Sequence, residues 1–412
     1  MREKLPPRKK LIFLTEEPPF PATGGGKLRD LYLLSLFSRD FDVKVLTFNA
    51  AKNPAPQEAT AATITLPIGV EIRSMPNPRN SIWAKLRGRF RSYVMNGYSI
   101  EMEKALEESS PLSRLLWISR LGMAKYIPVA QKLGYFTVLD EHNIESDLLL
   151  SLARKKPWNP FHLYLALDCR LREIQFCRQV NHVIAVSDSD AERLYSLMYQ
   201  RDCRPPYSRI TTIPNRIDTR RFQEAHPGKG RTLLFVGTLN YQPNIEGLQW
   251  FLDLVLPLLR HACGADLPPI RVIGAHPDPT LRAQLASAQI ELIQNPVSIV
   301  PYLKDAAIVF VPLLSGSGTR LKIIEAMAAG RAIVSTRKGA EGLELTPQKE
   351  IALADTPQDF ARALHSLWQD PLAREEMGKV AAQHAQTQYD WTSHSQKILE
   401  KIHQFYENST NR

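Results

Sequence analysis

Ser315, Gly316, Ser317, Gly318 and Thr319, followed by Arg320, Lys322 and Glu325, combine residue types that grip an anion with a carboxylate at a fixed offset. They follow an apolar, β-branched run at 307–314, of the kind buried on both faces of a parallel sheet. The small residues supply flexible backbone and a capping hydroxyl. A helix is expected over about 320–329, closed by Gly330 in a left-handed conformation, with the next buried strand at 332–336. A glycine turn feeding a helix amino terminus points unpaired amides outward and so receives anions. At roughly 1.5 Å rise per residue, Glu325 stands about 7–8 Å further along the helix than Arg320. That is about the span from a diphosphate to the ribose hydroxyls of a nucleotide. The bare geometry also fits a packed strand–helix corner that holds no ligand.

Three further stretches carry candidate chemistry. Residues 135–140 (YFTVLD) read as a strand that delivers Asp140, Glu141, His142, Asn143 and Glu145 at its carboxyl end, where open α/β sheets place ligand groups. A lone histidine there serves either packing or a ligand. A strand at 10–15 leads through PPFPAT to Gly24, Gly25 and Gly26 at the entrance of a helix over about 27–38, where backbone can approach a ligand or simply form a flexible loop. The stretch 81–98 mixes Trp83, Phe90, Tyr93 and Tyr98 with Lys85, Arg87, Arg89 and Arg91 and contains no acid. Aromatic bodies with cationic tips suit a headgroup boundary or a lipid-linked acceptor, and equally a surface helix with one packed face.

The elements that must position these groups alternate strand and helix along the chain. Its 412 residues suffice for two domains of about 200 each. Further strands are expected at 43–48, 63–73, 181–187, 209–213, 232–237, 270–274, 291–296 and 350–355, with helix over 169–180 and from Asp188, and paired helices over 356–412. The hydrophilic segment 223–230 reads as the linker. Net charge is +10 and uneven: residues 1–223 carry 34 Lys/Arg and 23 Asp/Glu, the remainder 18 and 19. The first half therefore meets something anionic. Zinc-finger spacing, RNA-binding aromatics and basic dimer helices are missing, so nucleic acid is not expected and an anionic membrane surface ranks first. No apolar run approaches the roughly 18 residues needed to span a bilayer. Cys169, Cys177, Cys203 and Cys263 lack metal-ligand or pairing patterns, which fits buried thiols in a reducing compartment. The expected location is cytoplasmic, with peripheral attachment to the inner face of the cytoplasmic membrane.

The run TRLKIIEAMAAGRAIVST followed by GAEGLE resembles the nucleotide-sugar site of family 4 retaining glycosyltransferases (glycosyl transferases group 1). The likeness extends in order from about residue 10 to 392. It takes in the glycine loop, VLDEHNIE, the turn Pro214-Asn215-Arg216-Ile217-Asp218, SIVPYLK, and Tyr389-Asp390-Trp391. It implies an α/β GT-B fold, with two Rossmann-like domains facing each other across a cleft. Residues 1–223 would bind acceptor, 231–385 would bind nucleotide sugar, and a C-terminal helix over 386–412 would cross back to the first domain. It implies a metal-independent hexosyltransferase that uses a UDP- or GDP-linked donor as substrate and no cofactor. The acceptor would be a glycan or lipid-linked, in cell-surface polysaccharide or glycolipid synthesis.

By the same resemblance, His142 contacts the transferring sugar and Glu325 holds ribose. Donor contacts fall on Ser317, Gly318, Thr319, Gly237, Asn244, Pro301, Gly24, Gly25 and Gly26, while the aromatic and cationic make-up of 81–98, and not the resemblance, places Trp83, Arg87, Arg89 and Arg91 at acceptor or membrane. The chain departs from the family in three places. Ser317 replaces the first glutamate of the Glu-x7-Glu pair, Arg216 replaces a glycine, and TLNYQPN after Gly237 lacks the basic pair that holds the diphosphate. Arg320 and Lys322 are the expected substitutes, because guanidinium and ammonium suit a diphosphate. Two alternatives stay open: a non-catalytic or degenerate GT-B sugar-nucleotide-binding protein, which the departures suggest, and a GT-B sugar-nucleotide epimerase, which would need its own acid/base set beyond His142 and its neighbouring carboxylates.

Overall fold

The computed structural model describes residues 8–19, 25–48, 69–76, 94–95, 97–111, 113–155, 157–199, 209–225, 230–296, 298–316 and 320–410. The chain divides into two compact units, Met1–Pro214 with Ser395–Arg412, and Asn215–His394. The first contains a seven-stranded parallel sheet built from β1 (Lys9–Leu14), β2 (Phe41–Phe48), β3 (Val70–Met75), β4 (Leu115–Ser119), β5 (Phe136–Asp140), β6 (His182–Ala185) and β7 (Ile210–Thr212), in the order β3-β2-β1-β4-β5-β6-β7. β4, β5 and β6 are buried at every position, as continuous apolar runs covered on both faces must be. Covering helices include α1 (Gly25–Phe37), α2 (Ile100–Ser109), α3 (Ile127–Lys132), α4 (Glu145–Lys155), α5 (Pro160–Gln179) and α6 (Asp188–Met198).

The second unit carries a six-stranded parallel sheet from β8 (Thr232–Val236), β9 (Ile270–Gly274), β10 (Glu291–Gln294), β11 (Ala306–Val311), β12 (Ala332–Ser335) and β13 (Ala352–Leu353), in the order β10-β9-β8-β11-β12-β13. Its helices are α7 (Gln242–Trp250), α8 (Leu256–Cys263), α9 (Pro279–Ser287), α10 (Val300–Asp305), α11 (Leu321–Ala328), α12 (Pro357–Gln369) and α13 (Pro371–His384). Core clusters on the two faces of this sheet centre on Phe235, Phe251 and Phe310, and on Val309, Ile324 and Ile333. In each sheet the order reverses beside the first strand of that unit, between β1 and β4 and between β8 and β11. Ligand crevices of doubly wound sheets open at such points.

Several boundaries differ from those expected. α1 begins at Gly25, so Gly25 and Gly26 form its first turn and are not loop. The chain divides at Pro214/Asn215 and not near 223: Ile217 bridges Asp390, and Phe222 and Ala225 pack into the second unit's core. The expected linker thus starts inside a 3-10 helix, Thr219–Ala225. The region after 356 holds three helices, the last being α14 (Trp391–Thr410). From Ser395 this helix belongs to the first unit, where His403 Nε2 meets Asp40 at 2.7 Å and Phe405 stacks on Phe136. Cys169, Cys177 and Cys263 are free and buried.

Candidate functional site

In the second unit, polar groups converge at the carboxyl end of β8. Gly237 follows the strand directly, and a Cβ added there would lie 2.8 Å from both Lys322 Nζ and Asn244 Nδ2. Lys322 donates to Asn244 Oδ1 at 2.6 Å, and Asn244 Nδ2 donates to the Thr238 carbonyl at 2.8 Å. The ammonium also lies 4.5 Å from the centroid of the Phe235 ring. Gly237, Asn244 and Lys322, far apart in sequence, are thereby brought together.

α11 presents Lys322 and Glu325 from one face, as i and i+3 must be. Its N-cap position is Arg320, one residue later than the expected capping hydroxyl of Thr319. Arg320 is buried, with its guanidinium against Gly316: a Cβ there would be 3.1 Å from Nη1 and from Nη2. Burial and the Arg320 charge push Lys322 down to about 7, against the attraction of Glu325. Burial pushes Glu325 up to about 7, against Arg221 and Lys322. Lysine and carboxylate therefore both titrate near neutrality, poised to respond to an arriving charge. One further carboxylate was missed by sequence reasoning: Glu246 on α7 accepts from Ser315 Oγ at 2.8 Å and so tethers the start of the glycine turn.

Ser317, Gly318 and Thr319 lie outside the described residues, as do Gly24, Trp83, Arg87, Arg89 and Arg91. Pro301 is exposed in the first turn of α10 and joins none of the contacts above.

The first unit holds a second polar cluster, at the ends of β1, β4 and β5. His142 Nε2 lies 3.3 Å from Asp140 Oδ2, 3.3 Å from Ser119 Oγ and 3.7 Å from Asp30 Oδ1. Asp30 also accepts from Ser119 Oγ at 2.6 Å and Thr15 Oγ1 at 3.0 Å. Arg29 grips Asp140 with two nitrogens, at 2.6 and 2.9 Å, and donates to the Ile213 carbonyl at 2.9 Å. Burial raises the Asp140 pKa, but Arg29 and His142 outweigh it and hold the carboxyl well below the usual range. Two buried carboxylates, Asp140 and Asp30, face Nε2 and hold the ring in orientation.

Arg120 completes the cluster. It follows β4 with φ 72°, a conformation uncommon for a side chain of its size, and its Nη2 lies 3.6 Å from Asp30 Oδ2. A Cβ on Gly26 would be 2.7 Å from that same Nη2, so Gly26 leaves room for the guanidinium. Arg29, Asp30 and Arg120 were not singled out from sequence. The available signal was Arg29-Asp30 inside KLRDLYLLSLF, a charged pair in an apolar helix, which only a polar partner inside the fold can satisfy. Among the described residues, no group of three or more His, Cys, Asp or Glu is placed to hold a metal ion.

The two doubly wound parallel sheets have the architecture of the GT-B fold. The crystal structure of the Anabaena protein HepE in complex with UDP-glucose is similar over 96% of this chain and 99% of its own, with TM-score 0.66 at 13% identity. Residues 230–370, most of the second unit, match the family described as glycosyl transferases group 1. An uncharacterized 44.6 kDa protein from the cps region of Klebsiella pneumoniae is 27% identical over 180 residues, 41% of this chain and 44% of its own. A D-inositol 3-phosphate glycosyltransferase of Pseudarthrobacter chlorophenolicus is 28% identical over 258 residues, 57% of this chain and 59% of its own. The chain thus spans about half the length of the curated relatives it matches.

Proposed function

We propose that the protein is a retaining glycosyltransferase that moves a sugar from a UDP- or GDP-linked donor to a glycan or lipid-linked acceptor in cell-surface polysaccharide or glycolipid synthesis. The observation that carries this reading is the meeting of Gly237, Asn244 and Lys322 at the carboxyl end of β8, with Arg320 and Glu325 on the same short segment. In this reading Lys322 and Arg320 take the diphosphate and Glu325 takes the ribose hydroxyls. Charge building on the leaving phosphate meets fixed cations that need no rearrangement. These cations, and not a metal, offset the diphosphate. His142, oriented by Asp140 and Asp30, contacts the transferring sugar. A group 1 glycosyltransferase match over 230–370 and a structural neighbour that binds UDP-glucose support the assignment.

The test is a panel of UDP- and GDP-sugars, with released nucleotide measured by mass. Slow release from one donor, lost in Lys322→Glu together with donor binding, is the expected result. Epimerised donor, or binding without turnover, would replace transfer with one of the other two activities. Glu325→Gln should raise donor KM more than it lowers kcat. An equal fall in kcat and kcat/KM would move Glu325 into the transition state.

A further inference from the structure

Helix α5 is inverted relative to an ordinary surface helix. Its buried positions include Glu173 with Ala166, Cys169, Phe176 and Cys177. From Phe161 to Leu171, every exposed position is apolar or aromatic: Phe161, Leu163, Tyr164, Leu167 and Leu171. Leu167 is 51% exposed and Leu171 69%. The spacing 163, 164, 167, 171 makes one continuous stripe along the helix. Trp158, 76% exposed in the turn before α5, extends the stripe past its amino terminus. An apolar patch of this extent on a described surface marks an interaction site.

Charge decides between occupants. Residues 154–172 contain Arg154, Lys155, Lys156, Arg170 and Arg172 but one acid, Asp168, which already faces Arg172 at 3.8 Å. A second copy laid on this face would bring basic residues against basic residues. An anionic bilayer instead accepts this surface: leucines and Phe161 enter the acyl boundary, Trp158 and Tyr164 sit at headgroup level, and the stems of Arg154, Arg170 and Arg172 reach the phosphates. The stretch 81–98, expected from sequence to do this, lies largely outside the described residues.

We propose that the outer face of α5, with the α4–α5 turn, docks the protein on an anionic lipid bilayer. The inference locates the membrane attachment and does not rest on glycosyl transfer, so it is read without donor. The full chain is sedimented with phosphatidylcholine vesicles containing about 30% phosphatidylglycerol, and with phosphatidylcholine alone. The wild type should bind the anionic vesicles at least about tenfold better than the neutral ones, and less well as salt rises. Phe161→Asp with Leu167→Asp should lower that binding at least about tenfold. Arg154→Ala with Arg170→Ala should reduce the preference for anionic lipid. Leu372→Asp, at a still more exposed leucine on the second unit, should change nothing. Nucleotide release in solution should survive the Phe161/Leu167 substitutions, which separates this inference from the transfer reading. Failure of the wild type to bind, or equal binding by the Phe161/Leu167 variant, overturns it. So does a concentration-dependent dimer that those substitutions dissolve, which would make a second copy the occupant.

Discussion

A lysine that has lost part of its charge to burial reports on whatever charge arrives beside it. Lys322 sits near about 7 because burial strips its water and Arg320 adds like charge. A diphosphate at that position favours the ammonium, so binding should take up a proton. Calorimetry at pH 7.5 in two buffers of different ionisation enthalpy should reveal an uptake of roughly half a proton or more per nucleotide. On the lysine's account, affinity weakens as pH rises through about 7. Lys322→Gln should lose both the uptake and most of the affinity, and identical heats in the two buffers would mean that the lysine does not meet the phosphate. Gly237 supplies an independent probe. A methyl there collides with the ends of two flexible side chains, not with backbone, so Gly237→Ala should cost little stability. It should still displace Lys322 from Asn244 and weaken nucleotide binding about tenfold, roughly the loss of one charge-assisted hydrogen bond.

At the scale of elements, α11 was legible because its instructions are local. Gly330 terminates it at φ 65°, with its amide on the Met327 carbonyl at 2.8 Å and the Arg331 amide on Ala326 at 3.0 Å. Gly330→Ala should therefore cost about 1 kcal/mol in stability while leaving nucleotide binding in the surviving folded fraction unchanged. A coupled loss of binding would show that the cap also sets the position of Lys322. Most buried strands were legible for a related reason, that a parallel strand covered on both faces must be apolar throughout, but β4, buried at every position, was not among those expected. What stayed hidden depends on partners distant in the chain. Asp30 gains its meaning from Thr15, Ser119 and Arg120, and Arg29 from Asp140, 111 residues away. The positive φ of Arg120 has no sequence signature, since arginine is not a residue that asks for it. α5 was read only from Cys169 onward because its exposed leucines erase the amphipathic pattern that usually marks a helix.

At the scale of the molecule, the two units differ in what they bury as well as in charge. The first unit encloses an acid pair that the second lacks among the described residues. Glu141 and Glu173 are both raised, Glu173 to about 7, by burial first and then, for Glu141, by repulsion from Glu173. Glu173 accepts from the Ser146 hydroxyl, and Glu141 Oε1 accepts from the Cys177 thiol at 3.7 Å. The sign follows from linkage. A carboxyl whose folded pKa exceeds its unfolded value stabilises fully below the unfolded value and loses that contribution as pH rises through the folded one. The Asp140 carboxyl, held low by Arg29, works the other way and matters only in acid. As pH rises from about 4.5, Glu173 should therefore cost the first unit stability, read as a falling Tm. Because the chain forms two compact units and Glu325, also raised to about 7, gives the second its own dependence, scanning calorimetry should show both transitions falling between about pH 4.5 and 7, the first on account of Glu141 and Glu173. Glu173→Gln keeps an acceptor for Ser146 and offers Glu141 a donor without a charge to bury. It should lessen the fall of the first unit's transition, leaving the part that burial of Glu141 causes, and a first-unit transition that falls with pH as steeply as the wild type's would show that Glu173 is not a source of the loss.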